Sequence, residues 1–295
     1  MSLSSCLQSQ DILKTVCGSS PAYIRDYFIE KGMTWFQENP QETGVITANL
    51  SRFGIRYSAG LVHSIKQHII LHYFEKVLPV CIPIEKHHAF LSENVKMGNA
   101  LEQLENARSD GKGVLLAVAH FGGVECIVPT LAMFRLPIHA ALRYTTEHFS
   151  EMAHMQAAKM EESGLYGPIH IIEIGKPGSV TALEMAAVLR KKEIMVTVFD
   201  EKNEYSKPVK LLGKTVSGGS GLDKILRFTN TQVAVFNAFM VRGENHTYHL
   251  RLMPVDSESP DLIQTMYHNL EAVITENIAQ WYYLHEEIPF ITRED

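Results

Sequence analysis

The sequence feature that most constrains the fold is a change of pattern at Gly111. From there, short apolar, β-branched runs at residues 114–119, 138–143, 169–174 and 194–200 alternate with helix-patterned segments at 124–134, 146–163 and 179–192. Such alternation predicts parallel strands with helices packed on both faces, because a parallel pair needs a helix-length crossover between its strands. Residues 233–242 and 248–255, joined through Gly243-Glu244-Asn245-His246, predict an antiparallel hairpin at the sheet edge. Ser217-Gly218-Gly219-Ser220-Gly221 is expected to open a helix that runs to about Thr229. A last helix carries Leu262, Met266, Leu270, Val273, Ile274 and Ile278 on one stripe. The expected class is therefore α/β: a mostly parallel central sheet with helices on both faces and an antiparallel edge hairpin.

Residues 7–108 show helical spacing and no strand alternation, so 1–110 is expected to form a helical N-terminal subdomain and 111–295 the α/β core. Ser19 and Ser20 precede Pro21, a favoured first helical residue, and Asn39-Pro40 interrupts that helix. A second helix bears Val62, Ile65, Ile69, Tyr73 and Val77, with Leu61, Ile70, Leu71, Phe74 and Leu78 on its other side. A helix apolar all round is expected to be buried, with contact to a membrane surface or a lipid chain as the alternative. Pro79 and Pro83 bracket a connector, and 90–108 is expected to be one further helix. His68 and His72 are one turn apart on the apolar helix, but no third ligand accompanies them, so the expectation is polar residues at a packed helix edge and no metal.

With 295 residues, 45% of them hydrophobic, the chain can bury a sizeable core. Its 27 Lys and Arg against 33 Asp and Glu give a net charge of -6, which argues against a nucleic-acid partner. The four cysteines are scattered and lack a C-x-x-C pair, as expected of reduced thiols. No apolar run reaches the about 20 residues of a membrane span, and no signal-peptide pattern opens the chain. A cytoplasmic protein with at most peripheral membrane contact is expected.

Chemistry is expected where the first strand ends, at His120-Phe121-Gly122-Gly123, with Glu125 just beyond. Carboxyl ends of parallel strands are where ligands gather. A Glu125 carboxylate on one imidazole nitrogen would fix the tautomer and leave the other nitrogen to take a proton. The alternative is a strand-end histidine that only hydrogen-bonds locally. No G-x-S-x-G elbow occurs, which disfavours a serine nucleophile. Arg143 and Asp200 end later strands at the same edge. Arg143 could bind an anion or an oxyanion, or be an ordinary surface arginine. Lys207, Lys210, Lys214 and Lys224 form either a docking patch or a solvated face.

Taken in order, Ala119-His120-Phe121-Gly122-Gly123-Val124-Glu125, Leu142-Arg143-Tyr144, Val198-Phe199-Asp200-Glu201, the Lys-Leu-Leu-Gly-Lys around Gly213 and the ending Gln280-Trp281-Tyr282-Tyr283-Leu284-His285 resemble the lysophospholipid acyltransferase superfamily. More narrowly, they resemble its lipid A late acyltransferase branch, the lauroyl and myristoyl acyltransferases, with the H-x-x-x-x-[DE] signature. The resemblance implies an acyltransferase working by single displacement. His120 would be the base, paired with Glu125, and Arg143 and Asp200 would be further site residues. The donor would be an acyl thioester on acyl carrier protein or coenzyme A, with no permanently bound cofactor. The acceptor would be a small or carrier-bound hydroxyl or amine. On this resemblance Gly122 and Gly123 would offer N–H groups to the oxyanion, while Phe121 and Met133 line an acyl slot. Gly123-Val124 replaces the family's Asn-Trp, and the family's N-terminal membrane helix has no counterpart. Both point to a soluble relative in natural-product or specialised lipid assembly. Two other expectations fit the same residues: a thioesterase using the base on water, or an acyl-chain or carrier-protein binding module without turnover.

Overall fold

The computed structural model describes residues 1–144, 147–175, 180–201, 206–219, 221–229 and 232–288, except for the side chains of His148 and Phe149. Six helices come first: α1 (Leu3–Leu7), α2 (Gln10–Val16), α3 (Pro21–Glu38), α4 (Pro40–Arg52), α5 (Ala59–Cys81) and α6 (Ile84–Asn94). The Ser20 hydroxyl accepts from the Tyr23 N–H and Pro21 is the first helical residue of α3, so the sequence signal for this start is met by its cap. Helix α5 runs through Pro79 and does not stop there. It is buried on most sides and packs on α3, where Gly32 makes room: a Cβ there would lie 2.5 Å from Ile70 Cγ1.

The expected single helix over 90–108 is divided. Strand β1 (Val95–Lys96) separates α6 from α7 (Ala100–Ser109), because these two residues pair with Tyr248 and His249 at the open edge of a later strand. The alternating part follows as β2 (Gly113–Gly122), α8 (Ile127–Met133), β3 (Ile138–Leu142), α9 (Glu147–Glu162), β4 (Ile169–Glu173), α10 (Thr181–Arg190) and β5 (Ile194–Val198). A hairpin, β6 (Lys207–Leu211) with β7 (Lys214–Gly218), comes next, then α11 (Gly221–Thr229), β8 (Val233–Arg242), β9 (Tyr248–Val255) and α12 (Leu262–Glu276).

Seven strands form one sheet in the order β1-β9-β8-β2-β5-β3-β4, parallel throughout except for the antiparallel β8·β9 pair. The predicted hairpin is therefore present, with only the two-residue β1 outside it. Strands β6 and β7 form a separate antiparallel sheet. It takes Ser217 and Gly218 into a strand, where the sequence suggested a helix entry. Leu212 and Gly213 both have positive φ, the geometry that a tight two-residue hairpin turn requires.

Period-two alternation in β2 sorts its side chains between two cores. Leu115, Ala117 and Ala119 join a cluster that includes the N-terminal helices, α10, α11 and α12, whereas Val114, Leu116 and Val118 join one beneath α7 and α8. Residues of α3, α4 and α5 thus share a hydrophobic core with the sheet. Each buried Leu, Val or Phe in it contributes about 1.5–3 kcal/mol. Among the described residues no helix is long and apolar enough to cross a membrane.

Candidate active site

Strands β2 and β5 are parallel neighbours, with Val118 opposite Val198. His120 and Asp200 each lie two residues further on, so the register brings them side by side at the carboxyl edge. The Asp200 carboxylate accepts twice from the same residue. His120 Nδ1–H donates to Oδ1 at 2.9 Å, and the His120 backbone N–H donates to Oδ2 at 2.8 Å. The aspartate side chain is 2% exposed and the imidazole 21%. Two bonds to one carboxylate fix both the ring orientation and the tautomer, with the proton on Nδ1. His120 Nε2 is left toward the rim, 3.6 Å from Glu201 Oε1, a separation too long for a hydrogen bond.

Burial alone would lower the proton affinity of His120. The Asp200 charge and hydrogen bond outweigh it, Glu201 and Glu125 add to the effect, and the pKa is pushed up to about 9. The Tyr283 ring meets the imidazole edge-on at 5.1 Å, and the Tyr282 ring lies 6.0 Å away. Both tyrosines belong to a short turn (Tyr282–His285) held near β2 by pairing between Phe121 and Trp281. Burial raises both phenols, so they remain neutral donors.

The partner of His120 is thus Asp200, in the position where the sequence suggested Glu125. Glu125 lies on the short turn Val124–Cys126 after β2, with Oε1 3.6 Å from His72 Nε2 of α5. Its charge still reaches His120. Gly122 has φ +58, and a Cβ there would lie 2.0 Å from the Met240 carbonyl oxygen, so only glycine allows β2 to turn this close to β8. The Gly123 N–H donates to that same oxygen at 2.7 Å, so the expected oxyanion donor is engaged within the fold. Phe121 is buried against Phe239, 6.0 Å between ring centres, and Met133 packs on the opposite core. Arg143 is exposed just past β3, two strands from β2, near Gly175.

A cleft of about 290 Å³ opens at Asp200 and Glu201. Its apolar walls come from Leu211 and Val216 of the β6–β7 hairpin, Tyr267 and Leu270 of α12, and Trp281 and Ile288. Neither Phe121 nor Met133 is among its lining residues. Beneath the other side of the site lies a buried ion pair, Arg242 Nε and Nη2 to Glu75 Oε1 and Oε2 at 2.6 and 2.8 Å. Gln280 accepts from the Arg242 N–H and donates to its carbonyl, closing the end of β8. Sequence reasoning assigned no site role to Glu201, Tyr282 or Tyr283, and it placed His72 at the edge of a packed helix, whereas His72 is buried beside Glu125. Glu201 and the two tyrosines lie within the Val198–Glu201 and Gln280–His285 segments that carry the family resemblance, and that proximity is the signal the sequence holds.

Fold and site together define an α/β protein with a histidine–carboxylate centre at the carboxyl edge of a parallel sheet and an apolar cleft beside it. Residues 80–288 match the family described as bacterial lipid A biosynthesis acyltransferase, and the chain belongs to that family. The class of activity is therefore acyl transfer, as the resemblance implied. No curated protein matches the chain.

Proposed function

We propose that this protein moves an acyl group from a thioester donor, on acyl carrier protein or coenzyme A, to a hydroxyl or amine acceptor, with His120 as general base. The supporting observation is the doubly bonded Asp200, which commits Nδ1 and leaves Nε2 to meet a substrate proton. As the acceptor oxygen or nitrogen attacks the thioester carbonyl carbon, its proton passes to Nε2. Collapse of the tetrahedral intermediate breaks the C–S bond, and the departing thiolate takes the proton back. Asp200, Glu201 and Glu125 stabilise the imidazolium formed between these steps. The acyl chain occupies the cleft walled by Leu211, Val216, Leu270 and Ile288. Arg143 serves as an anion contact at the same sheet edge.

The test is product analysis by mass spectrometry after offering acyl-coenzyme A and acyl-carrier thioesters with candidate alcohols and amines. Acylated acceptor is expected from the wild type, and free fatty acid alone would indicate a hydrolase. His120→Ala is expected to lose about 10²- to 10⁴-fold in turnover. Turnover near the wild-type rate in that variant would exclude the base assignment.

A further inference from the structure

His72 belongs to α5, in the helical part of the chain that precedes the alternating region, yet it faces the site. Its residue is 6% exposed, its ring lies 4.4 Å from that of Tyr282, and Nε2 is 3.6 Å from Glu125 Oε1. Nδ1 is buried without a hydrogen-bond partner among the described residues. An unsatisfied buried polar atom costs about 1–3 kcal/mol, and such atoms in native folds call for an explanation.

We propose that His72 is a positioning residue for acyl transfer: as a neutral imidazole with its proton on Nε2, it holds the Glu125 carboxylate beside His120. Of the two neutral tautomers, only this one turns a donor toward Glu125, whereas the other sets a lone pair against the carboxylate. At 3.6 Å the contact is a dipole facing a charge and not a direct hydrogen bond. Burial keeps the proton affinity of His72 well below the ordinary value. The cationic groups around it act in the same direction, Lys76 on its own helix, His120 of β2, Arg242 of β8 and His285 of the terminal turn, whereas the Glu125 carboxylate at 3.6 Å opposes them. A neutral donor restrains Glu125 without cancelling its charge, so the carboxylate still acts on His120. A lysine or arginine at this place would absorb that charge, and a leucine would not hold the carboxylate.

The proposal rests on His120 as the base, but its test needs no substrate. Nitrogen-15 imidazole spectra of the whole chain are expected to show His72 neutral, with the proton on Nε2, throughout the titration of His120. His72→Leu is expected to lower the His120 midpoint in the same direction as Glu125→Gln. His72→Gln, which keeps a neutral donor on a side chain of similar reach, is expected to leave it near the wild-type value. A protonated His72, a proton on Nδ1, or an unchanged or raised His120 midpoint in His72→Leu overturns the proposal. The wild-type tautomer decides even where a variant does not fold. Full turnover by His120→Ala would remove the functional reading and leave the spectroscopic result standing, so the two failures are distinguishable.

Discussion

At the scale of residues, the proposed chemistry depends on a base that is protonated at neutral pH in the free protein. An imidazole must be neutral to accept a proton, so kcat/KM on a thioester donor is expected to rise with pH toward about 9. Glu201→Gln removes a negative charge 3.6 Å from Nε2 and is expected to move that rising limb to lower pH. A pH–rate profile of both proteins checks this, and a limb that ignores Glu201 would count against the assignment. His120, Glu125 and Asp200 were all visible in the sequence, but their pairing was not. Spacing within one segment suggests Glu125, five residues away, whereas Asp200, eighty residues away, becomes a neighbour only through the adjacency of β2 and β5. Strand order is set by how helices pack across the sheet, and local periodicity carries no record of it. The engagement of the Gly123 N–H was hidden for the same reason, since its acceptor lies on β8.

At the scale of elements, a buried ion pair within an apolar surface helps bind α5 to the sheet. Glu75 and Arg242 are both buried and meet through two bonds. Removing either charge leaves the other uncompensated, so Glu75→Gln or Arg242→Met is expected to cost about 3–5 kcal/mol. Replacing both by apolar residues of similar volume is expected to be much less costly than the sum of the single changes. Denaturant titration of the two single variants and the double variant measures the difference, and additive losses would show that the pair is not coupled. Among the elements, the strand and helix alternation and the β8–β9 hairpin were legible because apolar periodicity reports which face is buried. The β6–β7 hairpin was not. Its strands expose Lys210 and Lys214 between buried Val209, Leu211 and Val216, and five-residue strands give the pattern little length in which to register. The division of α6 from α7 leaves no periodic signal because β1 is only two residues long and owes its existence to a partner strand.

For the whole molecule, stability is expected to peak near neutral pH, with histidines setting both flanks. Burial lowers His68 to about 3 and His87 and His285 to about 4, and holds His72 well below its ordinary value near 6.5. The folded state resists protons that the unfolded chain binds below 6.5. Stability is therefore expected to fall as pH drops from there toward 4, by up to about 1.4 kcal/mol per pH unit for each such group. His120 acts in the opposite sense. Its raised affinity contributes fully below 6.5 and is lost as pH rises through about 9. Thermal unfolding across this range tests the expectation, and a Tm that is flat between pH 4 and 6.5 would show that these side chains are not held neutral.

Among the described residues the β6–β7 hairpin shares no ladder with the seven-strand sheet, and side chains of α12 hold its backbone. Gln264 brackets the Lys210 backbone and Glu271 accepts from the Leu212 N–H. Val209, Leu211 and Val216 nevertheless bury into the same hydrophobic core as Leu115, Ala117 and Ala119 of β2. The hairpin that shapes one wall of the cleft thus has its own hydrogen-bond ladder while it shares the core of the sheet that fixes His120, so under the proposed function its residues toward the cleft can vary with the acyl group while the His120–Asp200 pair stays in register.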